Sequence, residues 1–324
     1  MENKNEEFRT DILKGLSNPI QKSIPSKYLY DSKGSYLFEQ ITLQPEYYPT
    51  RTENSILEKY STNILHNISK DIILIEMGSG SSKKTQHLFD SILKKQDKLY
   101  YFPIDISFNF LDSVVNDLET KNHNILVKGI PNDYINGIKD CNNILFENNF
   151  KFDSFSRLIV FFGSSIGNFE ADEARDFLKA VRINMNNKDF LLVGFDMIKD
   201  EFIIEPAYND KAGFTAQFNL NLLTRMNREL GCNFDLGGYI HYAFFNKKKD
   251  RIEMHLKSKS DQEFRVSGSS KIFKISQGET IHTESSYKYS KEKIQELAIR
   301  SGFSLEKVFS DKNNWFNLVM LKPC

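Results

Sequence analysis

The segment DIILIEMGSGSSKK, residues 71–84, sets an acidic residue, a tight Gly-Ser-Gly turn and a polar run directly after an apolar stretch. A buried strand that ends in glycines and feeds a helix is a nucleotide-type binding device. The glycines let a ligand approach the backbone, and the helix start offers free N–H groups. Glu76, Gly78 and Gly80 spell E-x-G-x-G rather than the G-x-G-x-x-G of dinucleotide sites. That pattern favours S-adenosylmethionine, whose cationic sulfonium and ammonium suit a nearby carboxylate such as Glu76. Asp105 ends the next apolar run, where an acidic residue can accept from both ribose hydroxyls. Lys84 falls in the expected first helical turn, where the dipole disfavours a cation. A ligand carboxylate would account for it. In GIPNDY, residues 129–134, Asp133 is placed to accept from an adenine amine and Tyr134 to pack on the ring.

The elements that must position these residues alternate. Buried strands are expected over 72–77, 99–104, 124–127, 157–162 and 190–195. Helices are expected over 84–95, 107–118 (with Ser107 as N-cap) and 171–185. This is the pattern of a parallel, doubly wound sheet. From about residue 200 the alternation stops. A helix over 215–230 precedes strand-like runs at 239–245, 251–257, 263–266 and 280–286. A helix over 291–301, closed by Gly302, then leads into two final strands at 303–309 and 315–321. Five alternating strands, a helix and an antiparallel closing pair make up the Rossmann-like class I methyltransferase sheet, an α/β fold. The block before the last helix is an insertion just past the carboxyl end of a sheet strand, where ligands of open α/β sheets bind. It is the natural substrate lid. With the N-terminal arm it makes a second, α+β substrate-binding domain. The expected division is residues 1–59 with 199–286 for substrate, and 60–198 with 287–324 for S-adenosylmethionine.

Bulk properties narrow the function. The 324 residues carry 43 charges of each sign, so no basic field recruits nucleic acid or an anionic membrane. Cys141, Cys232 and Cys324 show no metal-ligand spacing and suit a reducing compartment. The N-terminus is charged without an apolar core, and no run is long enough to span a bilayer. A cytoplasmic monomer that binds no metal is expected. Residues 28–53, YLYDSKGSYLFEQITLQPEYYPTRTE, are dense in aromatics, carry no obvious strand or long helix, and suggest a cap over the active site.

The segments YDSKGSYLFEQIT, PEYYPTRTE, EMGSGSSKK, FFGSSIGN, AYNDKAGFTAQFNLN, IEMHLKS and TESSYKY follow one another in this order. Together they resemble the L-histidine Nα-methyltransferases of ergothioneine biosynthesis, from about Tyr28 to Leu321. The resemblance implies that Gly78, Lys84, Asp105 and the Asp133–Tyr134 pair hold S-adenosylmethionine. Here Gly129 is followed by Ile130, whereas the family shows Gly-Asp-Phe, so Asp133 matches only across an insertion. The resemblance also implies that Tyr47, Asn168, Tyr208, Met254, Glu284 and Ser286 hold histidine. Asn168 and Tyr208 supply neutral donors for its carboxylate, Glu284 accepts an imidazole N–H, Ser286 serves the other ring nitrogen, and Met254 shapes the pocket. Tyr47 and Asn168 are assigned to the catalytic step, orienting the amine lone pair. The implied product is the trimethylated betaine hercynine, whose ammonium suits the faces of Tyr30, Phe38 or Tyr47. Two alternatives stand beside this reading. One is a relative acting on tryptophan or a modified histidine. The other is a non-catalytic binding module.

Overall fold

Seven strands form the larger sheet, in the order Phe303–Ser310, Phe316–Pro323, Phe190–Asp196, Phe155–Phe161, Asp71–Met77, Leu99–Ile104, Ile125–Val127. The five that come first in the chain are mutually parallel, and the closing pair runs antiparallel. In chain order the sheet reads 3-2-1-4-5-7-6, the order of class I methyltransferases. The strand order reverses between Asp71–Met77 and Phe155–Phe161, so the crevice at their carboxyl ends is the ligand position for this topology. These strands read as nearly unbroken apolar runs because both faces are covered. Ile73, Ile75, Ile159 and Leu191 pack into one core, and Ile72, Leu74, Leu158 and Leu192 into the other.

The structure is a computed structural model that describes residues 2–68, 71–151 and 154–324. It divides into two compact units, one of residues up to Tyr47 with Lys199–Ser286, the other of Tyr48–Ile198 with Tyr287–Cys324. The first boundary thus falls at Tyr47 rather than at residue 59. The cause is the helix Tyr48–Ile64, whose Ile56, Leu57 and Ile64 are buried in the core of the large sheet. At about 1.5–3 kcal/mol for each such side chain, that burial commits the helix to this unit.

Residues 28–53 do carry long helices, all of Ser32–Thr42 and the start of Tyr48–Ile64. Asp31 caps the helix Ser32–Thr42 by accepting from the Gly34 N–H at 2.8 Å. Pro49 sits in the first turn of Tyr48–Ile64, where its missing N–H costs nothing. A helix at Tyr134–Glu147 was not expected, and the one expected over 84–95 spans only Gln86–Leu93.

In the other unit, a sheet runs in the order Lys22–Ser23, Thr280–Tyr287, Arg251–Ser258, Tyr239–Asn246. The last two pair antiparallel, with Tyr239 opposite Ser258. The helix Phe214–Leu230 ends at Gly231 in the left-handed conformation. It is tied to the Ser32–Thr42 helix through Asn221 and Arg228, which both donate to Asp31. A two-stranded hairpin, Gln262–Arg265 and Ile272–Ile275, is separate from this sheet.

Candidate active site and cofactor cradle

The Gly-rich turn closes the first strand of the large sheet at the switch point. Gly78 and Gly80 have φ of +68° and +49°, the left-handed region that glycine adopts without strain. The N–H groups of Gly78 and Ser79 both donate to the Ile104 carbonyl, at 2.8 and 3.1 Å. The Gly80 N–H donates to Asp105 Oδ2 at 3.1 Å, and Asp105 Oδ1 accepts from the Ser107 N–H at 2.9 Å. The turn is therefore clamped to the end of the neighbouring strand. A Cβ on Gly78 would meet Tyr134 Cε1 at 3.3 Å and Oη at 3.4 Å, so the tyrosine ring lies against the bare backbone. Gly78, Asp105 and Tyr134 converge on one cradle. Burial raises the Asp105 carboxyl above its usual range, against the pull of its backbone donors. Each of its oxygens keeps a lone pair for a diol. Ser79 Oγ, unforeseen from sequence, is buried in the turn with no partner among the described residues. These features fit S-adenosylmethionine.

Three expected contacts read differently. Glu76 is buried and accepts from Thr85 Oγ1 at 2.6 Å and from the Tyr101 hydroxyl. Each oxygen thus holds an internal donor, which accounts for a carboxylate at this position within the fold. Burial pushes its pKa up to about 7, although the two hydroxyls and Lys84 pull the other way. Lys84 precedes its helix and pairs with Glu53, which is fully buried and also accepts from the Gly163 N–H at 2.9 Å. Its charge is thus accounted for inside the fold. Asp133 is exposed and caps Tyr134–Glu147, with Oδ1 accepting from the Asn136 N–H at 2.9 Å. Capping explains its type, and Tyr134 is the member of that pair that reaches the turn.

Asn168 ends the 3-10 turn Ser165–Asn168, which follows the fourth strand at the same switch point. Ser164, at φ +56°, opens the turn. A Cβ on Gly167 would come within 2.7 Å of the Tyr287 carbonyl oxygen, so backbone meets backbone there.

The other unit gathers most of the expected substrate residues. The Tyr208 hydroxyl donates to Ser286 Oγ at 2.7 Å, and both residues are buried. The Tyr47 ring lies 6.2 Å from that of Tyr208, edge to face. Phe38 continues the cluster at 6.1 Å from Tyr47, and Tyr30 at 5.7 Å from Phe38. Met254 and Glu284 lie on neighbouring strands, both buried. Thr283 Oγ1 donates to Asn219 Oδ1 at 2.7 Å and lies 3.1 Å from the Met254 carbonyl. Asn219 Nδ2 reaches His241, whose other ring nitrogen meets the Tyr208 carbonyl at 2.9 Å. Desolvation lowers the His241 pKa, which favours the neutral ring. Sequence reasoning missed this brace of Asn219 and His241. An asparagine inside a long amphipathic helix is its only trace in the sequence. Among the described residues, no group of three or more His, Cys, Asp or Glu could hold a metal ion.

Sheet order and cradle together define a class I S-adenosylmethionine-dependent methyltransferase fold. A putative methyltransferase from Thermobifida fusca has a similar fold, with a TM-score of 0.50 at 11% identity over 95% of this chain and 97% of its own. A family described as histidine-specific methyltransferase, SAM-dependent, matches residues 8–323, and the chain belongs to that family. It is 34% identical to a histidine N-alpha-methyltransferase of Mycolicibacterium smegmatis over 97% of this chain and 94% of that one. The corresponding enzyme of Mycobacterium tuberculosis is 33% identical, over 96% and 93%. The protein is an S-adenosylmethionine-dependent N-methyltransferase.

Proposed function

We propose that the protein methylates the α-amino group of L-histidine, three times in succession, to give hercynine for ergothioneine biosynthesis. One observation carries the substrate assignment. The fold brings Tyr47, Tyr208 and Ser286 together from distant parts of the sequence, and sets Glu284 and Met254 on adjacent buried strands. A buried carboxylate beside a hydroxyl suits the two nitrogens of an imidazole.

S-adenosylmethionine supplies a methyl group already activated by its positive sulfur. The protein's work is therefore alignment and exclusion of water. Gly78, Ser79, Asp105 and Tyr134 hold the donor. Glu284 and Ser286 fix the imidazole, Met254 fills the pocket beside it, and Asn168 and Tyr208 take the carboxylate. The Tyr47 hydroxyl and Asn168 orient the amine lone pair, and the proton leaves to water before each transfer. Each methyl adds bulk and leaves fewer N–H donors, so the aromatic faces of Tyr30, Phe38 and Tyr47 gain weight through cation–π attraction. Tryptophan fits this set less well, because an indole offers a single donor. The balanced charge fits a protein that does not act on nucleic acid or an anionic membrane surface, and three free cysteines fit a reducing, cytoplasmic setting.

Initial rates on a panel of amino acids test the assignment. Histidine should exceed tryptophan and Nτ-methylhistidine in kcat/KM by at least about tenfold, the minimum effect of leaving a buried polar group unpaired. Equal or better turnover of tryptophan would overturn it.

A further inference from the structure

The chain crosses between its two units at three places, Tyr47–Tyr48, Ile198–Lys199 and Ser286–Tyr287. Just inside the methyltransferase unit, each crossing carries a buried polar residue: Tyr48, Asp196 and Lys288. The three meet. The Tyr48 hydroxyl donates to the Asp196 carboxylate at 2.7 Å from Oδ2, and Lys288 Nζ pairs with the same oxygen at 2.8 Å. The lysine side chain is 0% exposed and the aspartate 1%. Asp196 also uses its backbone. Its N–H donates to Ser164 Oγ at 2.9 Å, and its carbonyl accepts from the Tyr289 N–H at 2.9 Å. The Ile198 N–H donates to the Tyr289 carbonyl at 2.9 Å, and the Tyr48 ring packs edge-on against Trp315 at 5.6 Å.

A buried ion pair adds little net stability compared with apolar side chains of the same volume, because desolvation offsets the attraction. It does impose direction. Tyr47 adjoins Tyr48, Ser286 lies two residues before Lys288, and Ser164 opens the turn that ends in Asn168. Tyr47, Ser286 and Asn168 are substrate residues in the proposed function, on which this inference rests. We propose that Tyr48, Asp196 and Lys288 are positioning residues for the amino-acid substrate. One buried carboxylate fixes how the chain leaves the unit at its crossings and how the Asn168 turn is set, without touching either ligand.

The test uses Tyr48→Phe, which keeps the ring against Trp315, and the charge-neutral double variant Asp196→Asn with Lys288→Met. Three quantities are measured in each: KM for histidine, calorimetric affinity for S-adenosylhomocysteine, and hydrogen exchange by peptide. Tyr48→Phe should raise the histidine KM by about tenfold or more, the loss typical of a hydrogen bond to a charged group, and leave S-adenosylhomocysteine affinity within about twofold. Exchange should quicken in peptides covering 46–50, 196–200 and 286–290 but not in strands 72–77 and 155–161. An unchanged KM, or KM and S-adenosylhomocysteine affinity worsening together with faster exchange across the whole sheet, would overturn the proposal. The exchange result does not depend on the substrate. Unchanged exchange at the crossings refutes the positioning device even if histidine proves to be the wrong amino acid. Wild-type inactivity on histidine refutes the substrate reading instead. If the double variant does not fold, Tyr48→Phe alone decides.

Discussion

Glu76→Gln removes a buried charge while keeping nearly the same shape. In the wild type the carboxyl has a pKa of about 7, against an ordinary 4.5. A group that holds its proton more tightly when folded stabilises the fold most at pH values below its unfolded pKa. That contribution disappears as pH rises through the folded pKa. For Glu76 the window runs from about 4.5 to about 7. At about 1.4 kcal/mol per pH unit, the loss across it is about 3 kcal/mol at most. The glutamine keeps one acceptor for Thr85 Oγ1. Its amide can donate to the Tyr101 hydroxyl, which is 2.7 Å from Ser82 Oγ and can turn its own proton there. The swap itself should therefore cost about 1 kcal/mol or less.

Urea unfolding of both proteins at several pH values from 4.5 to 8 gives the comparison. Other titrating groups cancel in the difference between the two profiles. Relative to Glu76→Gln, the wild type should lose stability steadily as pH rises, so that the variant is the more stable protein near pH 8. Affinity for S-adenosylmethionine should stay within about twofold, because each Glu76 oxygen already holds an internal donor, Thr85 or Tyr101. Parallel pH profiles, or a wild type that gains on the variant with rising pH, would refute the electrostatic reasoning. A tenfold loss of cofactor affinity would restore Glu76 as a ligand group.

Glu284→Gln should raise the histidine KM by about 10- to 150-fold, the equivalent of a charge-assisted hydrogen bond of about 1.5–3 kcal/mol, with unchanged S-adenosylhomocysteine affinity by calorimetry. Lys84→Met strands the buried Glu53 carboxylate and should cost about 3–5 kcal/mol in urea unfolding, and the double variant with Glu53→Gln should recover most of it. If Lys84 serves only the cofactor, the single variant would keep its stability. Tyr47→Phe should slow turnover of histidine in single-turnover mass spectrometry, and wild-type rates at all three transfers would show that its hydroxyl has no part.

The large sheet was legible because parallel strands buried on both faces must be written as apolar runs, as in Asp71–Met77 and Phe155–Phe161. The N-terminal helices were not. They carry Gly34, Tyr36 and Phe38, or Thr50 and Thr52, residues whose local propensity points away from helix. The Asp31 cap, itself held by Asn221 and Arg228 far along the chain, and the packing of Ile56 and Leu57 against the large sheet overrule that propensity. The form of the turn was legible at Gly78, whose φ of +68° favours glycine, and Asp105 stood out as the acidic end of an apolar run. The internal donors of Glu76, Thr85 and Tyr101, were not legible, because a carboxylate next to a glycine turn carries no mark of its hydrogen-bond partners. Asn219, His241 and the Asp196 cluster could not be found from sequence at all. Their partners are tens of residues away, and single polar residues within apolar stretches carry no spacing signal.

The proposed function requires that the α-amino group of free L-histidine receives the methyl groups. Mass spectrometry of histidine incubated with the protein and S-adenosylmethionine is the decisive experiment. Successive gains of one, two and three methyl groups are expected, with fragmentation placing all of them on the α-nitrogen. Methyl groups on an imidazole nitrogen, or no gain on histidine while another amine in the same mixture is methylated, would contradict it.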